Sequence, residues 1–335
     1  MDSFLLSTVV ILIVMKKFGW CYIGAGAIAR ETAKELVKTE DCRIVSVWNR
    51  THSKAVEFAK DFHAKAYENV LDAINDPEVE GVYIALTNDK HFEYTKLCLK
   101  HHKPVLCEKP FTMNEKEAIE IFELAKKENV YVTEAMWTWF NKPAYKVKSW
   151  VKEEKVGKIK NVLITFGFPA LLVKRIKNRV INPNLLGGVL LDMGVYGIRY
   201  SLELFGNPHK IECEARLKYG VDLYEKVNFI YDGFTVTHKF AVDRLVGEKC
   251  VIKGNKGKIK VPFFHMAKIA KLRGQYRDTY RYDALLYGTQ FSTVANEIRD
   301  GLLTSQYVTK ENTIKCMKLM DDIRKKMNLV YPQEK

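Results

Sequence analysis

From residue 18 to residue 135, short apolar runs alternate with amphipathic segments. The runs at 18–23, 43–48, 81–86, 104–109 and 130–135 have strand length, while 29–38, 53–62, 91–102 and 114–127 repeat apolar residues at helical spacing. Such alternation predicts parallel strands joined by crossover helices, a doubly wound Rossmann sheet. After Phe140 the period drops to two. Residues 161–168, 210–219, 226–233 and 234–242, with the KCVIKG and KIKVPF segments, predict an open, mostly antiparallel sheet turned at DGF and GNKG. Amphipathic helices at 289–303 and 310–327 close the chain. The fold class is therefore α/β plus α+β. An apolar extension (1–16) precedes a Rossmann dinucleotide-binding domain (17–137) and a substrate-binding and oligomerisation domain (138–335).

Composition supports two domains, since 335 residues with 47% hydrophobic content exceed one typical core. The extension is too short for the roughly 20 residues of a membrane-spanning helix. With Asp2 ahead of it and no cleavage site before the first strand, it does not read as a secretory signal. We expect an upstream addition ahead of a natural start at Met15, a membrane anchor being the lesser alternative. Seven scattered cysteines without a C-x-x-C pair argue against a disulfide framework or zinc knuckle and fit a reducing cytoplasm. The eight histidines form no ligand spacing, so no metal is expected. A net charge of +14 invites an anionic partner, yet lysines interleave with acids, as in KEEK (152–155), and no nucleic-acid motif accompanies them. The densest basic run, KRIKNR (174–179), is either a solvated loop or a rim that attracts an anionic cofactor or substrate.

Three stretches carry chemistry. GAGAIA (24–29) follows the first strand and opens a helix, as G-x-G-x-x-A requires. Gly24 permits the turn, Gly26 admits a pyrophosphate and Ala29 lets the helix pack closely. The second strand ends in WNRT (48–51), where a ribose-binding acid is missing. Arg50, backed by Thr51, Ser53 and Lys54, offers charge and hydroxyls to a 2′-phosphate, favouring NADP over NAD. VLCEKP (105–110) ends a buried strand on Lys109, held extended by Pro110 at the sheet edge where open α/β folds bind ligands. In GGVLLDMGVYG (187–197), a helix over 190–201 would put Asp192 and Tyr196 on one face, a carboxylate and a phenol able to share one bound oxygen.

GAGAIA, VLCEKP, EAMWTWF (134–140) and GGVLLDMGVY, in this order and spacing, resemble the glucose-fructose oxidoreductase, inositol dehydrogenase and rhizopine-catabolism (Gfo/Idh/MocA) family over residues 17–332. The E-K-P lysine and the tyrosine look most like its dimeric dihydrodiol dehydrogenase and xylose dehydrogenase branch. Inositol dehydrogenases usually carry histidine where Tyr196 stands. The resemblance implies that Lys109 and Tyr196 lie beside the nicotinamide, with Tyr196 the general acid/base, Lys109 lowering its pKa and Asp192 holding substrate or the catalytic network. It also implies a cis Lys109–Pro110 peptide. Cofactor contacts follow from Gly24, Gly26, Ala27 and Ile28 in the loop and from Asn49, Arg50, Ser53 and Lys54 after the second strand. Thr87, Asn88 and His91 follow the third long strand, and Glu108 with Lys109 lies at the ring. Trp137, Trp139 and Arg179 join Asp192 and Tyr196 as substrate contacts. Relatives commonly have proline at Thr87, glycine at His102 and arginine at Trp139, so Trp139 exchanges a cation for a sugar-stacking surface that Arg179 could compensate.

These features predict a cytoplasmic NADP-dependent dehydrogenase, with NAD possible, acting on a secondary alcohol or ketone of a sugar, polyol or cyclic diol. A homodimer or higher homo-oligomer would form through the C-terminal sheet, with no nucleic-acid or membrane partner. A phosphorylated-sugar dehydrogenase and a non-catalytic NADP-dependent regulator are the alternatives; intact Lys109, Asp192 and Tyr196 speak against the latter.

Overall fold

The computed structural model describes residues 16–173 and 178–334. Most of the apolar extension and the first four residues of the KRIKNR run lie outside them. Six strands, β1 (Phe18–Ile23), β2 (Cys42–Trp48), β3 (Lys65–Tyr67), β4 (Gly81–Ile84), β5 (Val105–Glu108) and β6 (Val132–Ala135), form one parallel sheet in the order β3-β2-β1-β4-β5-β6. Helices α1 (Ala27–Leu36), α2 (His52–Phe62), α3 (Val70–Ile74), α4 (His91–Lys100) and α5 (Glu115–Glu128) lie between them. Every residue of β1 is buried, as a central strand covered on both faces requires. The strand order reverses between β1 and β4, opening a crevice above their carboxyl ends. The short edge strand β3 and helix α3 were not expected, because three and five residues are too few to display a period.

The second sheet has eight strands: β7 (Ile159–Gly167), β8 (Lys210–Lys218), β9 (Val221–Tyr231), β10 (Phe234–Ala241), β11 (Gly247–Gly254), β12 (Gly257–Pro262), β13 (Ile269–Gly274) and β14 (Asp278–Arg281). Their order is β14-β13-β12-β11-β7-β10-β9-β8, antiparallel except for the central β7–β10 pair. Helices α6 (Lys142–Lys152), α7 (Val195–Phe205), α8 (Gly288–Arg299) and α9 (Lys310–Lys326) complete the fold. Neither α6 nor β13 and β14 was anticipated; their lysines and arginines obscure the apolar positions.

Helix α7 lies against the second sheet at glycine: a Cβ at Gly197 would fall 2.6 Å from the Phe240 ring. The expected helix over 190–201 is not uniform. Leu190–Gly194 forms a wide π turn that runs into α7, so Asp192 and Tyr196 do not keep simple α-helical spacing. The C-terminal helices also reach back to the first sheet. Phe291 of α8 packs edge-on against Trp20 and Tyr83, and Glu35 of α1 accepts the N–H groups of Tyr287 and Gly288 at the start of α8. These contacts hold α8 against the first sheet.

Candidate active site

The crevice begins at the glycine loop. Gly24 has φ +111°, and a Cβ there would lie 2.5 Å from the Ala85 carbonyl oxygen, so the turn excludes a side chain. At Gly26 the same atom would meet open space. Gly26 also caps α1 without a side-chain hydrogen bond, and the first turn carries no acid. An uncapped helix start beside open room fits a dinucleotide pyrophosphate. Ala27 and Ile28 supply that first turn. Asn49 acts on the loop itself: its Oδ1 accepts the Ala25 N–H at 3.2 Å and its amide donates to the Thr51 carbonyl at 3.0 Å. Arg50, Ser53 and Lys54 stand exposed at the end of β2 and the start of α2.

Beyond β4, Thr87 precedes a short turn in which Asn88 donates to the Leu186 carbonyl across 3.1 Å, tying the two domains together. His91 is fully buried, with Nδ1 2.8 Å from the Pro110 carbonyl and Nε2 3.3 Å from that of Leu86. Burial pushes its imidazole below the usual value. His91 therefore braces the loop after β5 against the end of β4 through both ring nitrogens. Glu108 is likewise inward: its carboxylate accepts the Tyr83 hydroxyl and the Lys109 N–H, and burial pushes it up to about 7. Each of its oxygens thus has a donor within the protein, one of them the backbone of Lys109.

Lys109 leaves β5 ahead of a cis peptide to Pro110. Its Nζ donates to the backbone carbonyl of Asp192 at 2.7 Å and to Oδ1 at 3.3 Å, and sits 4.9 Å from the centre of the Tyr196 ring. On the other side of Asp192, Arg179 donates to Oδ2 at 2.9 Å. Burial alone would raise Asp192, but the Arg179 and Lys109 charges prevail and hold it well below the usual carboxylate range. Arg179 is thus committed to a carboxylate, leaving less free charge for a substrate phosphate. Trp137, from the turn after β6, donates Nε1–H to the Tyr196 hydroxyl at 2.8 Å. Because indole N–H only donates, the phenol oxygen accepts there and keeps its own proton for another acceptor. Any lowering of Tyr196 by Lys109 does not prevail: burial, then the Glu108 charge, pushes the phenol well above its ordinary value.

The structure also separates two tryptophans that the sequence treated alike. Trp137 turns toward Tyr196 and Tyr287, whereas Trp139 is buried against Tyr145 and Tyr200 with Lys148 near its face. The four-residue 3-10 turn sends alternate indoles in different directions, so Trp139 offers no free stacking surface. Two features escaped the sequence reading. His265, reached from the far end of β12, lies 5.0 Å from the Tyr196 ring. Glu134 accepts the Phe111 N–H at 3.2 Å and the Arg199 guanidinium at 3.4 Å, joining the Lys109 loop to the helix that carries Tyr196. Spacing in the chain gives no sign of either.

Comparison with known proteins assigns the two halves of the chain. Residues 18–136 match the oxidoreductase family, NAD-binding Rossmann fold, and residues 145–260 match the GFO/IDH/MocA C-terminal domain. The chain is 29% identical to scyllo-inositol 2-dehydrogenase (NADP(+)) IolU of Bacillus subtilis, over 93% of this chain and 98% of that protein. It is 28% identical to trans-1,2-dihydrobenzene-1,2-diol dehydrogenase of Danio rerio, over 94% and 98%. A likeness of fold extends to KijD10, a 3-ketoreductase from Actinomadura kijaniata solved with NADP and TDP-benzene, at TM-score 0.83 and 19% identity, covering 92% and 98% of the two chains. Both halves of the chain thus carry the same assignment: this protein belongs to the Gfo/Idh/MocA family of oxidoreductases.

Proposed function

We propose that the protein transfers hydride between NADP and a secondary alcohol or ketone of a sugar, polyol or cyclic diol, with NAD a weaker cofactor. The observation that carries this reading is the convergence of Lys109 and Tyr196, 87 residues apart in sequence, with Asp192 neutralising part of the charge and Trp137 leaving the phenol proton free. Gly24, Gly26 and the first turn of α1 would hold the pyrophosphate, and Arg50, Ser53 and Lys54 the 2′-phosphate. When bound, the nicotinamide supplies or accepts hydride.

The chain's own residues manage the oxygen. Lys109 donates to the substrate oxygen and stabilises the negative charge that builds there, while Tyr196 delivers a proton as a ketone becomes an alcohol. In the oxidative direction Tyr196 takes the proton back. A phenol held protonated by burial is suited to the first role; the second requires the ammonium to remain close. Asp192 keeps Lys109 aimed, and Trp137 excludes water from one side of the phenol. The names of the NADP-dependent and diol-oxidising relatives support the cofactor and substrate class.

A second copy of the chain is the proposed partner. From Leu223 to Tyr231 strand β9 alternates buried with half-buried residues, and the half-buried face of the second sheet is the one proposed to meet a twofold mate. The dehydrogenase reading is tested by following reduced-nicotinamide absorbance across sugars, polyols and diols with each cofactor. NADP-linked turnover of at least one class is expected; no turnover with intact cofactor binding would favour the regulator.

A further inference from the structure

His265 lies outside every motif that marked the site. Strand β12 ends at Pro262, and Phe263 takes a left-handed conformation with φ 48°. This reversal leaves Phe263 and Met266 exposed and turns His265 inward. Three contacts fix it. Thr138 donates its hydroxyl to the His265 carbonyl at 2.7 Å, the His265 N–H donates to Glu248 Oε1 at 3.2 Å, and the same carboxylate oxygen pairs with Nδ1 of the ring. Phe166 stacks on the imidazole at 4.5 Å, while Trp137 and Tyr196 stand at 5.3 and 5.0 Å.

A carboxylate on Nδ1 fixes the orientation of an imidazole and leaves Nε2 as its working nitrogen. Among the described residues His265 Nε2 has no hydrogen-bond partner, and it is not one of the sealed, unpartnered polar atoms. The other polar groups of this wall are already accounted for: Lys109 by Asp192, and Tyr196 by Trp137 on one side of its oxygen. An oriented but unused nitrogen beside the reacting phenol is arranged to meet a ligand. Phe166, Trp137 and Tyr196 supply an apolar surround that strengthens a hydrogen bond made within it.

We propose that His265, oriented by Glu248, is a substrate anchor that binds the hydroxyl adjacent to the carbinol addressed by Lys109 and Tyr196. Neighbouring hydroxyls of a vicinal diol, or of a sugar at its anomeric carbon, lie about one hydrogen-bond length apart. One can therefore reach the amine and phenol while the other reaches the imidazole. His265 acts on specificity, and Glu248 is its positioning residue. The assignment rests on the dehydrogenase reading and narrows it to substrates with a second hydroxyl next to the first.

The test compares D-glucose with 2-deoxy-D-glucose, and trans-cyclohexane-1,2-diol with cyclohexanol, using wild-type enzyme, His265→Phe and Glu248→Gln. NADPH fluorescence titration establishes that each variant is folded and binds cofactor. Wild-type kcat/KM should favour the hydroxylated member of a pair by roughly tenfold to a hundredfold, as expected for a site built to receive a hydroxyl. His265→Phe should lose far more on the hydroxylated member, bringing the ratio close to one. Glu248→Gln should raise KM for that member with a smaller change in kcat. An undiminished preference in His265→Phe, or equal losses on both members, would overturn the assignment while leaving the dehydrogenase reading intact. Turnover of neither pair, together with none across the sugar, polyol and diol panel with NADP or NAD, would overturn both.

Discussion

The indole of Trp137 donates to the hydroxyl of Tyr196 at 2.8 Å, from a turn that follows the last strand of the first domain to a helix of the second. This bond occupies one lone pair of the phenol and directs its proton elsewhere. Trp137→Phe keeps most of the ring while removing the donor. We expect kcat to fall about tenfold, in line with loss of one buried hydrogen bond, with NADPH affinity little changed. Stopped-flow traces of reduced-nicotinamide absorbance check this; unaltered kcat would mean the bond has no part in aiming the phenol.

The two glycines of the loop should separate stability from binding. Gly24→Ala places a Cβ against the Ala85 carbonyl in a left-handed conformation, and should cost about 2 kcal/mol or more in urea denaturation. At Gly26 an added methyl meets no protein atom, so Gly26→Ala should cost about 1 kcal/mol or less. It should nevertheless weaken NADPH binding, because the methyl enters the room assigned to the pyrophosphate. Full affinity in Gly26→Ala would move the phosphates away from this loop.

Arg50 is the proposed discriminator between NADP and NAD. Losing a charge-assisted hydrogen bond to a phosphate should weaken NADPH by roughly tenfold to a hundredfold in Arg50→Ala, while NADH changes much less. Parallel fluorescence titrations measure both. Equal losses would show that Arg50 does not distinguish the 2′ position.

Glu108 should make the fold sensitive to pH. Burial raises its carboxyl to about 7, so the folded chain favours the protonated form. Stability from this group is then greatest at low pH and falls as pH rises from the unfolded carboxyl value of about 4.3 through the folded one. Glu108→Gln removes the charge and keeps one amide oxygen, an acceptor for either Tyr83 or the Lys109 N–H. Between about pH 5 and about pH 8, wild type should lose of order 2 kcal/mol relative to the variant in urea melts. Parallel pH profiles of the two proteins would contradict the buried-acid account.

Much of this architecture was legible because burial on both faces leaves continuous apolar strands, and crossover helices keep their own period. The order β1, β2, β4, β5, β6 could be read in this way, and Pro110 made Lys109 conspicuous. The second domain was harder. In β13 and α6, lysines and arginines fill the solvent side and interrupt the apolar pattern. Long-range contacts left no local trace at all: Glu248 and His265 meet only because β11 and β12 pair, and Glu134 finds Arg199 across the domain junction. Trp139 shows the opposite failure, since residue type suggested a binding surface and the 3-10 turn buried it.

Central to the account is the pairing of an amine and a phenol around one substrate oxygen. Single-turnover hydride transfer in Tyr196→Phe and Lys109→Met, each saturated with NADPH as judged by fluorescence, tests it most directly. Both variants should bind cofactor as wild type does and transfer hydride about a hundredfold or more slowly, the usual scale of a lost acid/base group. Wild-type transfer rates in both would contradict it.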